Sequence, residues 1–333
     1  MSALGCVGLP DAAVDVDVAT ASERNAIVGG EESLDDSAVV MVRTPFPFLP
    51  DERLCTGTLI APRLVLTALR CVAALPLAAF SCESDGTIRE PDNGGGWFYQ
   101  PVPGNVQVHL GPRAARTEPA AYGARVWSSG SVEACIDDIA VVELDRDLPL
   151  PPSTLRLAGG IARGDSVSVV GFGDTGVSNY PYVRNRRDGV HVTAVGPDDT
   201  TDGLSHVVPR TFLTDDGLCL GDVGGPALAA ESGAVIGVYS YATRATSCYA
   251  TGQTHVFVKV APYASLIRKA CAAVGSQPLE ETTGDRPPRP ARPTCSMSPR
   301  AAARGVHAAV AVLAALAFWC AACLRRRARA TNP

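Results

Sequence analysis

Cys55-Thr56-Gly57-Thr58-Leu59-Ile60 and, four residues on, Val65-Leu66-Thr67-Ala68-Leu69-Arg70-Cys71 hold two short apolar runs, Thr58–Ile60 and Leu64–Thr67, separated by Pro62-Arg63. Runs this short, rich in Thr, Val, Ile and Leu and bounded by breakers, read as strands and not as helices. The pattern continues outward through Val106–Leu110, Ile139–Leu144, Ser166–Val170, His191–Val195, Ala234–Tyr239 and His255–Val260, with Gly, Pro, Asp and Ser between the runs. Many short strands at this spacing predict an all-β sandwich or barrel. Pro262–Ala273 has helical apolar spacing, so a C-terminal helix closes the all-β body.

The chain has 333 residues, 46% hydrophobic and 19% charged, with a formal net charge of −5. That apolar share supports a packed core and excludes a disordered or collagen-like chain. An acidic chain has no electrostatic footprint for nucleic acid, and none is expected as a partner. Eleven cysteines point to disulfides in an oxidising compartment. Cys320 and Cys323 lie inside an apolar run, no second CxxC stands at zinc-site spacing, and no metal or cofactor is expected.

The tail differs from the body. From Gly275 on there are nine Arg against three Asp or Glu. Residues 275–304 hold Pro278, Pro287, Pro288, Pro290, Pro293 and Pro299, which favours an extended spacer. Residues 305–324 are apolar apart from His307, long enough as a helix to cross the roughly 30 Å of a bilayer core. Arg325, Arg326, Arg327 and Arg329 follow within residues 325–333, placing the C-terminus in the cytoplasm and the body outside as a single-pass membrane protein of the cell surface. Thr294-Cys295-Ser296, the apolar span and the Arg cluster together resemble the myxobacterial C-terminal sorting tags over about 40 residues, which makes Cys295 a processing site; a plain stop-transfer anchor is the alternative. Leu4-Gly5-Cys6 resembles the end of a bacterial lipoprotein signal and would place the start of translation further upstream.

Six segments resemble the trypsin/chymotrypsin serine proteases (peptidase S1), in that family's order. They are Ile27-Val28-Gly29-Gly30, the Cys55–Cys71 segment, Asp138-Ile139-Ala140-Val141-Val142, Val170-Gly171-Phe172-Gly173, Gly221-Asp222-Val223-Gly224-Gly225-Pro226 and Phe257-Val258-Lys259-Val260. The resemblance covers residues 27–274, with residues 1–26 a pro-segment or signal remnant. It implies two six-stranded antiparallel β-barrels and a C-terminal helix, with the site between the barrels. It also implies disulfides Cys55–Cys71, Cys219–Cys248 and, between neighbouring loops, Cys82–Cys135; Cys6, Cys271 and Cys295 have no assigned partner.

The same matching exposes departures. The base position of the triad is Arg70, which carries no lone pair to accept a proton. The nucleophile position is Val223, which has no reactive group, so only Asp138 keeps its triad identity. In a related triad, loss of nucleophile or base alone removes about a millionfold of kcat. His255 falls at the rear wall of the specificity pocket, where the family has glycine, and Gly217 stands where trypsin-like members carry aspartate. Ser240 and Ala242 line the substrate strand. Ile27 and Asp222 form the family's activation pair, and the backbone N–H groups of Gly221 and Val223 its oxyanion nest. His109, His191 and His206 lie away from the site. Buried Asp138 needs a partner, so an Arg70–Asp138 ion pair is expected. These departures predict a membrane-anchored protease homologue that is not an enzyme and that binds a polypeptide or regulates a partner protease. An active serine endopeptidase with an unorthodox site, and a purely structural surface domain, are the other readings.

Overall fold

A computed structural model describes residues 27, 29–47, 52–74, 81–82, 86, 88–89, 99–114, 117–131, 133–173, 183–197, 207–215, 218–219, 221–243 and 254–282. Fifteen strands occur among them, in chain order β1 Glu31–Glu32, β2 Val39–Thr44, β3 Arg53–Ala61, β4 Leu64–Thr67, β5 Ser81–Cys82, β6 Ile88–Arg89, β7 Gln107–His109, β8 Ala121–Trp127, β9 Ala140–Leu144, β10 Ser166–Gly171, β11 Asn185–Val195, β12 Thr211–Thr214, β13 Pro226–Ala229, β14 Val235–Thr243 and β15 Thr254–Lys259. One helix, α1 Ala264–Ala273, follows the last strand.

Strands β2-β3-β4-β9-β8-β7 close into the first barrel, all neighbours antiparallel. Their β-branched and Leu side chains fill it: Val40, Val42, Leu59, Leu66, Val108 and Val141 are all buried. β10 to β15 form the second barrel, in which β11–β12 pairing closes the order β11-β10-β13-β14-β15-β12 and β1 adds an outer edge to β11. Its core holds Val167, Val169, Val190, Val192 and the stacked rings of Phe212 and Phe257, 5.1 Å apart. Two six-stranded antiparallel barrels and a terminal helix are therefore present.

α1 buries Ile267, Ala270 and Cys271 in the cluster that contains the first barrel's core. Cys271 is a free, buried thiol, and burial raises its pKa. The domain continues past the helix. The Leu155 N–H donates to Leu279 O (2.7 Å) and the Glu281 N–H to Leu155 O (2.9 Å). Glu281 grips buried Arg156 through two bonds of 2.6 and 2.7 Å. A composition reading places Ser276–Glu281 in the spacer that starts at 275; these residues are instead fastened to the barrels, because Arg156 supplies the buried charge that Glu281 needs. The helix 305–324 and Cys295 expected from the sequence lie outside the described residues. Among the described residues no helix is long and apolar enough to cross a membrane.

Candidate functional site

β4 runs into the extended residue Ala68 and then a 3₁₀ turn, Leu69–Cys71. The Cys55–Cys71 disulfide, with Cα atoms 5.9 Å apart, ties this turn to β3. Leu69 and Cys71 are buried in the turn, while the side chain of Arg70 keeps 11% of its surface exposed. Asp138, in the segment leading into β9, exposes 1% of its side chain.

Arg70 Nε donates to Asp138 Oδ2 at 2.5 Å, and the Arg70 backbone N–H donates to Oδ1 at 2.8 Å. The hydroxyl of Ser240, on β14 of the second barrel, donates to Oδ2 at 2.5 Å, and Arg70 Nη2 reaches that hydroxyl at 3.3 Å. The guanidinium also sits 5.3 Å from the ring centroid of Tyr241, within the range of a cation–π contact. A buried carboxylate without such donors would be strongly destabilising; here three groups on two barrels supply them. The adjacent Asp137 has separate partners, Tyr263 Oη at 2.5 Å and Arg210 at 2.9 Å.

The loop Gly221–Gly225 is held against the first barrel by backbone. Thr56 donates its N–H to Val223 O at 2.8 Å and its hydroxyl to Gly221 O at 2.9 Å. Gly224 is required: at φ +86° a Cβ would lie 2.2 Å from both Thr56 O and Thr67 Oγ1. The half-buried Val223 side chain packs against both cores. Among the described residues neither the Gly221 nor the Val223 N–H has a partner.

Asp222 is fully buried. It accepts the Gly173 N–H at 2.7 Å and the Cys219 N–H at 2.9 Å. Burial pushes its pKa up to about 7 against those two bonds. In the intact chain the Ile27 nitrogen is an uncharged amide; the Ile27 side chain packs into the second barrel's core. The carboxylate leaves no room beside it, since a Cβ on Gly173 would meet it at 2.4 Å.

His255 lies on β15 opposite Ala242 on β14 and is buried. Its Nδ1 is 3.2 Å from Tyr239 Oη, and the Tyr239 ring tilts between His255 and Phe257 at 5.6 and 5.4 Å. Burial, aided by Arg187, pulls the imidazole down to about 4, so it is neutral at pH 7. His109, in the first barrel, bonds Thr117 O through Nδ1 at 2.9 Å. His191 is exposed near Asp215. His206, Gly217, Cys248 and Cys6 are outside the described residues, as is the side chain of Cys82. Cys135 and Cys219 are both disulfide-bonded, with their expected partners Cys82 and Cys248 among those undescribed side chains.

Thus Arg70, Asp138 and Ser240 meet, and Val223, Gly221 and Asp222 share one loop beside them. Tyr239 and Tyr241 are contacts that motif matching does not reveal; strict strand alternation would turn both away from Ser240, and the register shift between Tyr239 and Tyr241 interrupts that alternation. Arg70 brings a cation with no lone pair to accept a proton, and Val223 brings no hydroxyl.

Among solved structures, the chain is similar to a scabies mite inactivated protease paralogue, at 21% identity and a TM-score of 0.55, over 73% of this chain and 99% of that one. No curated protein matches it. The Trypsin family model matches residues 97–267, just over half of the sequence and spanning Asp138, the Gly221–Gly225 loop and β15. By that match and by its paired barrels, the chain belongs to the trypsin family.

Proposed function

We propose that this domain is a non-hydrolytic member of the trypsin family that binds polypeptide at the inter-barrel site and is held at a bacterial cell surface by residues 305–324. One observation carries the reading: the guanidinium of Arg70, the residue that motif matching sets at the base position, is bonded to both Asp138 and Ser240. A guanidinium stays protonated at any physiological pH and cannot take a proton from a nucleophile. Val223 supplies none to activate. His255, which motif matching sets at the rear of the specificity pocket, is buried against Tyr239, in keeping with a pocket that takes no substrate side chain. The N–H groups of Gly221 and Val223, unpartnered among the described residues, favour a surviving binding role. Disulfides at Cys55, Cys71, Cys135 and Cys219 favour a location outside the cytoplasm. A solved protein of similar fold is described as an inactivated protease paralogue, in keeping with this reading.

Fluorophosphonate labelling tests it, because the probe reacts only with an activated nucleophile. The purified full-length chain is expected to remain unlabelled, while Arg70→His combined with Val223→Ser restores labelling. Labelling of the unaltered chain, mapped to Ser240 or another hydroxyl, would make it a hydrolase with an unorthodox site.

A further inference from the structure

A second cation stands beside the Arg70–Asp138 pair. Arg53 opens β3, two residues before Cys55, so strand alternation puts its side chain on the same face of β3 as the disulfide to Cys71. Cys71, the residue after Arg70, is bridged to Cys55 with Cα atoms 5.9 Å apart, which brings the start of β3 close to the Arg70 turn. Arg53 is half-buried, yet among the described residues its guanidinium has no hydrogen bond or ion pair. The other arginines of the first barrel's rim differ: Arg43 pairs with Glu52 and Arg63 with Asp147. Asp138 is not bonded to Arg53: the bonds to its oxygens come from Arg70 Nε, the Arg70 N–H and Ser240.

Burial, and then the neighbouring Arg70, pull the Arg53 pKa below the usual arginine value, with Asp138 acting the other way. A guanidinium tolerates such a pull and stays charged at neutral pH. The local charge is therefore one cation in excess, sheltered from water, on a chain that is acidic overall. Partial desolvation of an unpaired guanidinium is unfavourable, and a carboxylate arriving from a ligand would relieve it through charge-assisted, bidentate bonds.

We propose that the inter-barrel site recognises an acidic polypeptide segment, whose Asp or Glu carboxylate pairs with Arg53. This rests on the reading of the site as a polypeptide-binding one and adds the ligand's chemistry to it. Arg70, two of whose five N–H groups hold Asp138 and Ser240, adds positive potential beside Arg53. The peptide backbone gives length and direction, and the buried cation selects charge.

The test uses the purified full-length chain and two fluorescein-labelled peptides of equal length, one rich in Glu and Asp and one with Gln and Asn in their places, followed by fluorescence polarisation. The acidic peptide is expected to bind at least about tenfold more tightly, the scale of one charged hydrogen bond, and to lose that advantage as salt is raised. Arg53→Gln should abolish the preference and Arg53→Lys retain part of it, while Arg125→Gln, an exposed cation over Trp127, leaves it unchanged. Equal binding of the two peptides by the unaltered chain overturns the inference and leaves polypeptide binding standing. A preference that survives Arg53→Gln overturns it too, and so does binding of neither peptide. Binding of neither peptide removes the polypeptide-binding reading as well, whereas equal binding removes the charge preference alone; hydrolysis is decided separately by the fluorophosphonate probe.

Discussion

Changing Arg70 to Met keeps an unbranched apolar stem and removes the guanidinium with its charge. Asp138 would then lie with 1% of its side chain exposed and two donors in place of three: the Arg70 backbone N–H and the Ser240 hydroxyl. Removing one partner of a buried ion pair costs about 3–5 kcal/mol. The two surviving bonds to the carboxylate hold the loss to the lower end, about 3 kcal/mol. For a domain of this size that lowers Tm by about 6–12 °C. Replacing both partners, Arg70→Met with Asp138→Leu, takes the charge away altogether and should recover most of the loss, since buried pairs and apolar substitutes are often close in stability. Urea denaturation of the two single variants and the double variant then gives a coupling of at least about 2 kcal/mol. A coupling below about 0.5 kcal/mol, or an Arg70→Met cost below about 1 kcal/mol, would mean that the carboxylate is satisfied without the guanidinium.

Asp222 binds a proton more tightly folded than unfolded, with its pKa raised from 3.8 to about 7, so the stability it contributes is fully present below about pH 4 and is lost as pH rises to about 7, by up to about 4 kcal/mol. Denaturation from pH 4.5 to 8 should show that decline in the unaltered chain and a flatter profile in Asp222→Asn; parallel profiles would refute it. Glu281→Gln should loosen the segment that follows α1, raising hydrogen exchange at the Leu155 and Glu281 amides at least about tenfold; unchanged exchange would show that the backbone bonds at Leu155 hold the segment alone.

How far the sequence discloses this molecule depends on how local each contact is. β4 and β9 stand out as short apolar runs because all or nearly all of their residues are buried. Only the end of β11 does so, since Arg186, Arg187, Asp188 and Gly189 in its first half break the apolar pattern with polar and exposed positions. β8 is masked by Gly123 and Arg125 and β13 by its Pro and Ala. Motif order places Arg70 and Asp138 in one site, and the ion pair follows from the need to neutralise a buried acid. The bond from Ser240 to Asp138 spans 102 positions and exists only because the second barrel seats β14 beside the first. The clasp from Glu281 to Arg156 spans 125, so a run of Gln, Pro, Leu and Glu reads as spacer until its partner is known. Arg53 is legible in retrospect by counting two residues back from Cys55.

The burial of Asp138 beside Arg70 has a mechanical explanation. A carboxylate between two barrels demands donors from both sides, and the guanidinium supplies a strong and permanent one. Arg70 and its own backbone N–H reach Asp138 from the first barrel, Ser240 from the second, and the Gly221–Gly225 loop closes onto Thr56 a few residues away. Every one of these bonds ties one barrel's groups to the carboxylate or to the loop beside it. Removing Asp138 would leave the Arg70 cation nine-tenths buried beside Arg53, two like charges with no acid between them. On the reading proposed here, the carboxylate persists because the cations around it need it. It also leaves Arg53, the cation that it does not reach, as the one open to a ligand.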